Sequence, residues 1–222
     1  MSIMAVFQPV RATLGAQVAA TLRESILLGE LMPGEKVVER RLAETLKVSQ
    51  TAIREALQVL EHEGLVVKKA NTATHVTTLS AGQVAEIVDL RIDLESKAFL
   101  LAQKRLTEDQ LQEMRRLLEE INEAVAANDY YRTHRCDLRF HQKVWEIAGN
   151  KTLEKLLKQL CAPLFAYTMV FLSVSRKKLP ESVKSHQALV DVLEKGRKSA
   201  IKAAVSDHIR NAWFEFLDQP EK

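Results

Sequence analysis

Cysteine is scarce in this chain of 222 residues. Cys136 and Cys161 are the only two, and they lack the paired spacing of a zinc knuckle or a redox motif. A reducing cytoplasm fits that usage. Long apolar runs are missing as well: the longest charge-free stretch, Gln159 to Ser175, is shorter than a membrane span usually needs and contains Gln159, Pro163, Thr168 and Ser173. It reads as a buried core helix, with no membrane partner expected. The N-terminal MSIMAVFQPVRATLGAQ lacks a basic segment followed by an apolar run and a small-residue cleavage site, so no export signal is expected. There is no Gly-rich phosphate loop, no nucleophile elbow and no HExxH, which argues against the enzymes built on them. Charge of one sign is absent too. Residues 1–79 carry nine Lys+Arg against eight Asp+Glu, and residues 80–222 carry 23 against 21, for a net charge of +3. Any case for DNA binding must therefore rest on where the charges sit.

What is present is an ordinary soluble composition, 46% hydrophobic and 27% charged, in a length that suits two domains. Val18, Leu22, Ile26 and Leu27 follow helical spacing, and Gly29 closes that first helix. After Met32-Pro33-Gly34-Glu35, a short helix through Arg40, Leu42, Ala43 and Leu46 is followed by Lys47-Val48 and a second helix capped by Ser49. Ile53, Ala56, Leu57 and Leu60 give that helix an inward face, and Gly64 ends it. Two β-branched stretches, 65–68 and 75–78, flank the polar tip 69–74 and read as a hairpin. Ser80-Ala81-Gly82-Gln83 is a capping box, which places a domain boundary at Thr78 to Ser80. The domains are thus 1–79 and 80–222. In the second, the pattern predicts six helices and no strand: about 81–104, 108–127, 130–148, 151–175, 181–195 and 198–217. Thr107 to Gln110 forms a second capping box, Gly149-Asn150 and Gly196 are stop signals, and Pro180 suits a first helical position. Pro163, inside the fourth segment, is expected to kink it.

The fold class expected is mainly α. A winged helix-turn-helix of three helices and a β-hairpin wing precedes an antiparallel six-helix bundle. A helix, a tight turn and a second helix capped at Ser49 form the arrangement that lays the second helix in the major groove. On that reading Ser49, Gln50, Thr51 and Arg54 face DNA, and Arg40 meets a phosphate or a base. Lys68, Lys69 and Thr72 reach phosphates from the wing. The competing reading is a plain three-helix packing unit with solvated polar residues. The segment PGEKVVERRLAETLKVSQTAIREALQVLEHEGLV resembles the signature of the GntR family of bacterial winged-helix regulators. That resemblance implies DNA contacts at Arg40, Gln50 and Arg54. The chain departs from the family pattern in having Gln50 in place of arginine, Ala52 in place of proline, and Lys47 and Asn71 in place of glycine. Arginine suits guanine O6 and N7, whereas glutamine suits adenine N6 and N7, so an altered operator preference is expected.

Asp137 and His141, four residues apart, project from one helix face about a turn apart, as a two-ligand metal clip requires. His186 and His208 lie on two later helices. They either converge on that face or are surface and packing histidines, and spacing alone favours the second. The pattern Asp137-Leu138-Arg139-Phe140-His141, Ala148-Gly149-Asn150, His186 and His208 is similar to the FCD sensor domain of the FadR subfamily, and six helices rather than seven resemble its VanR-type branch. This resemblance implies that the aspartate and three histidines bind one divalent transition metal ion, zinc or nickel. Such an ion has room for the carboxylate of a small organic acid effector. Arg91 resembles a family arginine that points into the same cavity; a salt bridge to Glu95 or Asp89 is the other reading. Arg139 is expected to point away, and His62, His75 and His134 to be surface or packing residues. The resulting function is a DNA-binding repressor, homodimeric on a two-fold operator, whose affinity is set by the effector. The alternatives are a metal-dependent enzyme using the same four residues and a structural metal domain in a nucleoid-binding protein.

Overall fold

In a computed structural model, residues 13–68, 73–174 and 179–217 are described, with side chains described outside 168–182 and 214–217. The chain divides into two compact units, Met1–Thr77 and Thr78–Lys222. In the first, α1 spans Leu14–Leu27, α2 Glu39–Leu46 and α3 Gln50–His62, with strands β1 Lys36–Val37, β2 Val66–Lys68 and β3 Thr74–Val76. Val18, Leu22 and Ile26 of α1 are buried as their spacing predicts, and Leu28 joins them in place of the half-buried Leu27. They meet Ile53, Ala56, Leu57 and Leu60 of α3, because α1 packs on α3. Each large aliphatic side chain so buried contributes roughly 1.5–3 kcal/mol.

The wing is part of a three-stranded sheet of order β1-β3-β2, both pairs antiparallel, with Lys36 opposite His75 and Val66 opposite Val76. The hairpin expectation therefore lacked a strand. With two residues, β1 is too short for alternation to show in sequence, and its place is fixed by pairing with β3. Lys69 and Thr72, expected at the wing tip, lie outside the described residues, as does Asn71.

The turn between α2 and α3 rests on Lys47. It stands in the left-handed region at φ 55° and ψ 44°, where its N–H donates to the Ala43 carbonyl. The N–H of Val48 donates to the same carbonyl at 3.0 Å. This explains why glycine suits the position: a Cβ in that region crowds the following carbonyl oxygen.

The second unit holds α4 (Ala81–Gln103), α5 (Glu108–Ala126), α6 (Tyr130–Ile147), α7 (Lys151–Val174), α8 (Leu179–Lys195) and α9 (Lys198–Leu217). The bounds differ by at most two residues from those expected, and the ends of α4, α5 and α6 by at most one, the usual fraying at caps. Both capping boxes form: Ser80 Oγ accepts from Gln83 N at 3.2 Å while Ser80 N donates to Gln83 Oε1 at 2.9 Å, and Thr107 and Gln110 repeat the exchange. Connections of two or three residues join α5 to α6, α6 to α7 and α8 to α9, so these packed neighbours run antiparallel. Gly149, at φ 62°, ends α6 where a Cβ would collide with Arg105, whose Nη1 donates to the Ala148 carbonyl. Pro163 lies inside α7, which stays helical to Val174. Helix α4 touches α6, α7, α8 and α9, and so runs against most of the bundle.

Replacing Lys47 by glycine relieves the left-handed strain at the cost of a more flexible unfolded chain. Lys47→Gly is expected to stabilise the N-terminal unit by about 0.5–1 kcal/mol. Urea denaturation checks it: the midpoint should rise with the slope unchanged, and a lower midpoint refutes the account of the turn.

Candidate functional site

The N-terminus of α3 is shaped by one hydrogen bond. Ser49 Oγ accepts from Ala52 N at 3.2 Å, a bond that proline at position 52 could not donate. Gln50, Thr51 and Arg54 are then exposed on one side of α3, while Ala52 and Ile53 are buried on the other. Arg54 Nε donates to Glu39 Oε2 at 2.8 Å, tying α3 to the first turn of α2. Arg40 is 80% exposed and 3.7 Å from Glu44. Lys68 is exposed on β2. The described residues expected to face DNA are thus solvent-accessible polar groups on α2, α3 and β2.

Within the second unit, Asp137 and His141 of α6, His186 of α8 and His208 of α9 offer ligand atoms that all lie within 4.8 Å of one another. The three histidines are buried, and the aspartate side chain is 22% exposed. Spacing put Asp137 and His141 together because one turn of α6 separates them. His186 and His208 join them through the packing of α8 on α9 and of α4 on both, which no local pattern reveals. Asp137 Oδ1 is 2.7 Å from His186 Nε2 and 3.7 Å from His141 Nε2, and the Nε2 atoms of His141 and His208 are 3.1 Å apart. The Nδ1 atoms of those two rings face outward, His141 to Glu95 Oε2 at 2.7 Å and His208 to Ser185 Oγ at 2.9 Å.

This arrangement fits a cation. Ligands at about 2.1 Å from an ion stand roughly 3–4 Å apart, and the donors here are three imidazoles and one carboxylate, a borderline-soft set suited to first-row divalent metals. Burial opposes ionisation of Asp137, but the hydrogen bond with His186 and the neighbouring imidazoles outweigh it and hold the carboxyl well below the usual carboxylate range. Burial, reinforced by His186 and His141, pushes His208 well below the ordinary imidazole value. A ligand set needs this pairing of ionised carboxylate and neutral imidazole.

Arg91 lies beside the cluster, and of its two sequence readings the pairing with Glu95 forms: Nε donates to Glu95 Oε1 at 2.7 Å, both side chains being buried. Asp89 instead pairs with Arg210 on the surface. The Arg91 guanidinium stacks over Phe165 at 4.8 Å, and its buried Nη2 has no hydrogen-bond partner among the described residues. Arg139 points outward to Glu120, and His134 packs against Phe165. Glu95 had no signal of its own in the sequence beyond its spacing from Arg91, and Ser185 and Phe165 had none.

A family model described as bacterial regulatory proteins, gntR family, matches residues 14–76, and one described as the FCD domain matches residues 86–211. The chain belongs to the GntR family and carries an FCD domain. It is 26% identical over 211 residues to the transcriptional regulator McbR of Escherichia coli, covering 93% of this chain and 90% of McbR. It is 26% identical over 242 residues to the transcriptional repressor NanR of Cronobacter sakazakii, covering 96% and 89%. The solved structure of E. coli McbR/YncC has the same fold, with a TM-score of 0.84 at 23% identity, covering 93% of this chain and all of that one. This GntR regulator is thus a DNA-binding transcription factor and not an enzyme. No helix among its described residues is long and apolar enough to cross a membrane.

The cap on α3 generates one expectation. Ser49→Ala removes the acceptor for Ala52 N and should lower stability by about 1 kcal/mol, read as a fall in the urea midpoint; an unchanged midpoint would show that the cap carries no weight.

Proposed function

We propose that this GntR regulator is a cytoplasmic repressor of the VanR-type branch, homodimeric on its operator. Its DNA affinity is set by a small organic acid bound beside a zinc or nickel ion in residues 80–222. The observation that carries the reading is the buried cluster of Asp137, His141, His186 and His208 next to an arginine with a buried, unpartnered Nη2. Three imidazoles and a carboxylate hold the ion, which when bound supplies an electrophilic centre with coordination positions left for an organic carboxylate. Arg91 orients that carboxylate through Nη2, its Nε being committed to Glu95. Six helices among the described residues of 80–217 support the VanR-type assignment.

On the DNA side, residues 1–79 form the reading head. Gln50, Thr51 and Arg54 contact base edges, and Arg40, Lys68, Lys69 and Thr72 contact phosphates. Ser49 faces DNA with its hydroxyl proton free to donate while its oxygen accepts from Ala52 N. One recognition helix spans a few base pairs, so a two-fold operator calls for two copies. Effector binding changes operator affinity by a coupling of about 1–3 kcal/mol.

Two outcomes are expected. Binding-site selection on wild type and Gln50→Arg should give different preferred sequences, adenine giving way to guanine at one position per half-site, with discrimination of roughly 1–3 kcal/mol; identical preferences would defeat the assignment. Protein purified without a histidine tag should carry zinc or nickel by elemental analysis, and His208→Ala should lose most of it together with the response of operator affinity to organic acids. A metal-free wild type that still responds to its acid would overturn metal-dependent sensing.

A further inference from the structure

Glu95 contributes nothing to the ligand set, yet it is wholly buried and both of its oxygens are used. Oε1 is 2.7 Å from Arg91 Nε and Oε2 is 2.7 Å from His141 Nδ1. The chemistry of the three groups leaves one arrangement of protons. A guanidinium only donates, and an ionised carboxylate only accepts. Both carboxylate oxygens of Glu95 therefore receive N–H groups, and a His141 ring with a single proton must carry it on Nδ1. Its Nε2 is then left with a lone pair, and that atom is the one facing Asp137 and His208.

We propose that Glu95 is a positioning residue that fixes the tautomer and ring orientation of His141, and that it joins this metal ligand to the guanidinium of Arg91. The inference rests on the metal and effector reading above and extends it: the group that grips a cation and the group that grips an anion hang from opposite oxygens of one carboxylate. A carboxylate partner of this kind also raises the basicity of a ligating imidazole. The remaining surroundings restrict movement of the string. Arg91 lies over the Phe165 ring at 4.8 Å, Phe165 is 6.2 Å from the His141 ring, and Phe140 meets His141 edge-on at 5.7 Å.

The substitution Glu95→Gln keeps shape and volume and alters only the proton pattern. Arg91 has nothing to offer but donors, so the new amide must turn its oxygen to Arg91 and its NH2 to His141 Nδ1. That nitrogen can accept only if it carries no proton, so the proton moves to Nε2 and blocks the metal-facing lone pair. In Arg91→Met/Glu95→Gln the amide is released to turn its oxygen toward His141, and the original tautomer returns.

Two measurements test this, with zinc alone as the probe. Nitrogen-15 NMR of the metal-free proteins at pH 8, with the His141 signals assigned by their loss in His141→Gln, should show Nδ1 protonated in wild type, Nε2 protonated in Glu95→Gln, and Nδ1 protonated again in the double variant. Chelator competition should show zinc affinity about 10- to 100-fold weaker in Glu95→Gln, with most of it recovered in the double variant. An unchanged His141 tautomer in a folded Glu95→Gln protein overturns the inference, since loss of charge or packing alone would leave the proton on Nδ1. Should that variant fail to fold, the wild-type spectrum still decides: a proton on Nε2 of His141 overturns it. Failure of wild type to bind zinc is a separate result that removes the metal reading, and with it the part of Glu95 in positioning a metal ligand, whereas the tautomer is read without metal.

Discussion

The buried ion pair between Arg91 and Glu95 is the constraint on which the helical unit depends. Two charges one turn apart on α4 sit inside the bundle, 5% and 0% exposed. Breaking such a pair by removing one partner leaves an uncompensated buried charge and costs roughly 3–5 kcal/mol. Burial alone would raise the carboxyl of Glu95, yet His141 and Arg91 hold it at about 2. The dryness of the surroundings shows in Cys161, whose thiol burial pushes up to about 12 despite the nearby guanidinium. Such a thiol is a packing element rather than a nucleophile. Because α4 packs on α6, α7, α8 and α9, a polar string anchored on α4 is held from several sides.

That string explains why the histidines are placed as they are. His141 reaches Glu95, and His208 reaches Ser185 on α8, so each ring is anchored by Nδ1 and directs Nε2 inward. The stacking of rings adds to this: His186 meets His208 at 4.4 Å between centroids and Phe140 at 5.0 Å, both edge-on. Aromatic contacts of this geometry contribute about 0.5–1.5 kcal/mol each. A set of imidazoles without such anchors would turn to satisfy its own hydrogen bonds, and its lone pairs would not share a centre.

Legibility in the sequence followed the range of the interactions. The two capping boxes, the Ser49 cap and the inward face of α3 depend on residues three or four apart, so their residue types announce them. The ends of α4, α5 and α6 fall within one residue of the pattern for the same reason. Strand β1 was hidden because two residues carry no period, and its partner β3 lies nearly forty residues on. Around Asp137, spacing alone could pair only His141. His186 and His208 entered through family resemblance, since they arrive from separate helices by tertiary packing. Glu95 had no signal as a neighbour of His141, 46 residues away in sequence. Buried polar partners of a site are chosen by the proton each group must give or take, and that demand is written in three dimensions.

Charge balance bears on the proposed effector class independently of resemblance. Imidazoles aside, the cluster and its neighbours hold one guanidinium against the carboxylates of Glu95 and Asp137, one negative charge in excess. A low-dielectric interior disfavours uncompensated charge of either sign. The proposed divalent ion turns that excess into one positive charge, and a monocarboxylate brings the sum to zero. A dicarboxylate would overshoot unless its second group reached solvent, and the partly exposed Asp137 marks the side of the cluster nearest to water. A neutral ligand would leave the positive charge standing. On the same count, the proposed organic acid would bind well only with the ion in place: without it, the acid would add a second uncompensated negative charge to the interior. In the proposed function, metal and acid would then share one coupled equilibrium, in which each raises the affinity for the other by the same factor.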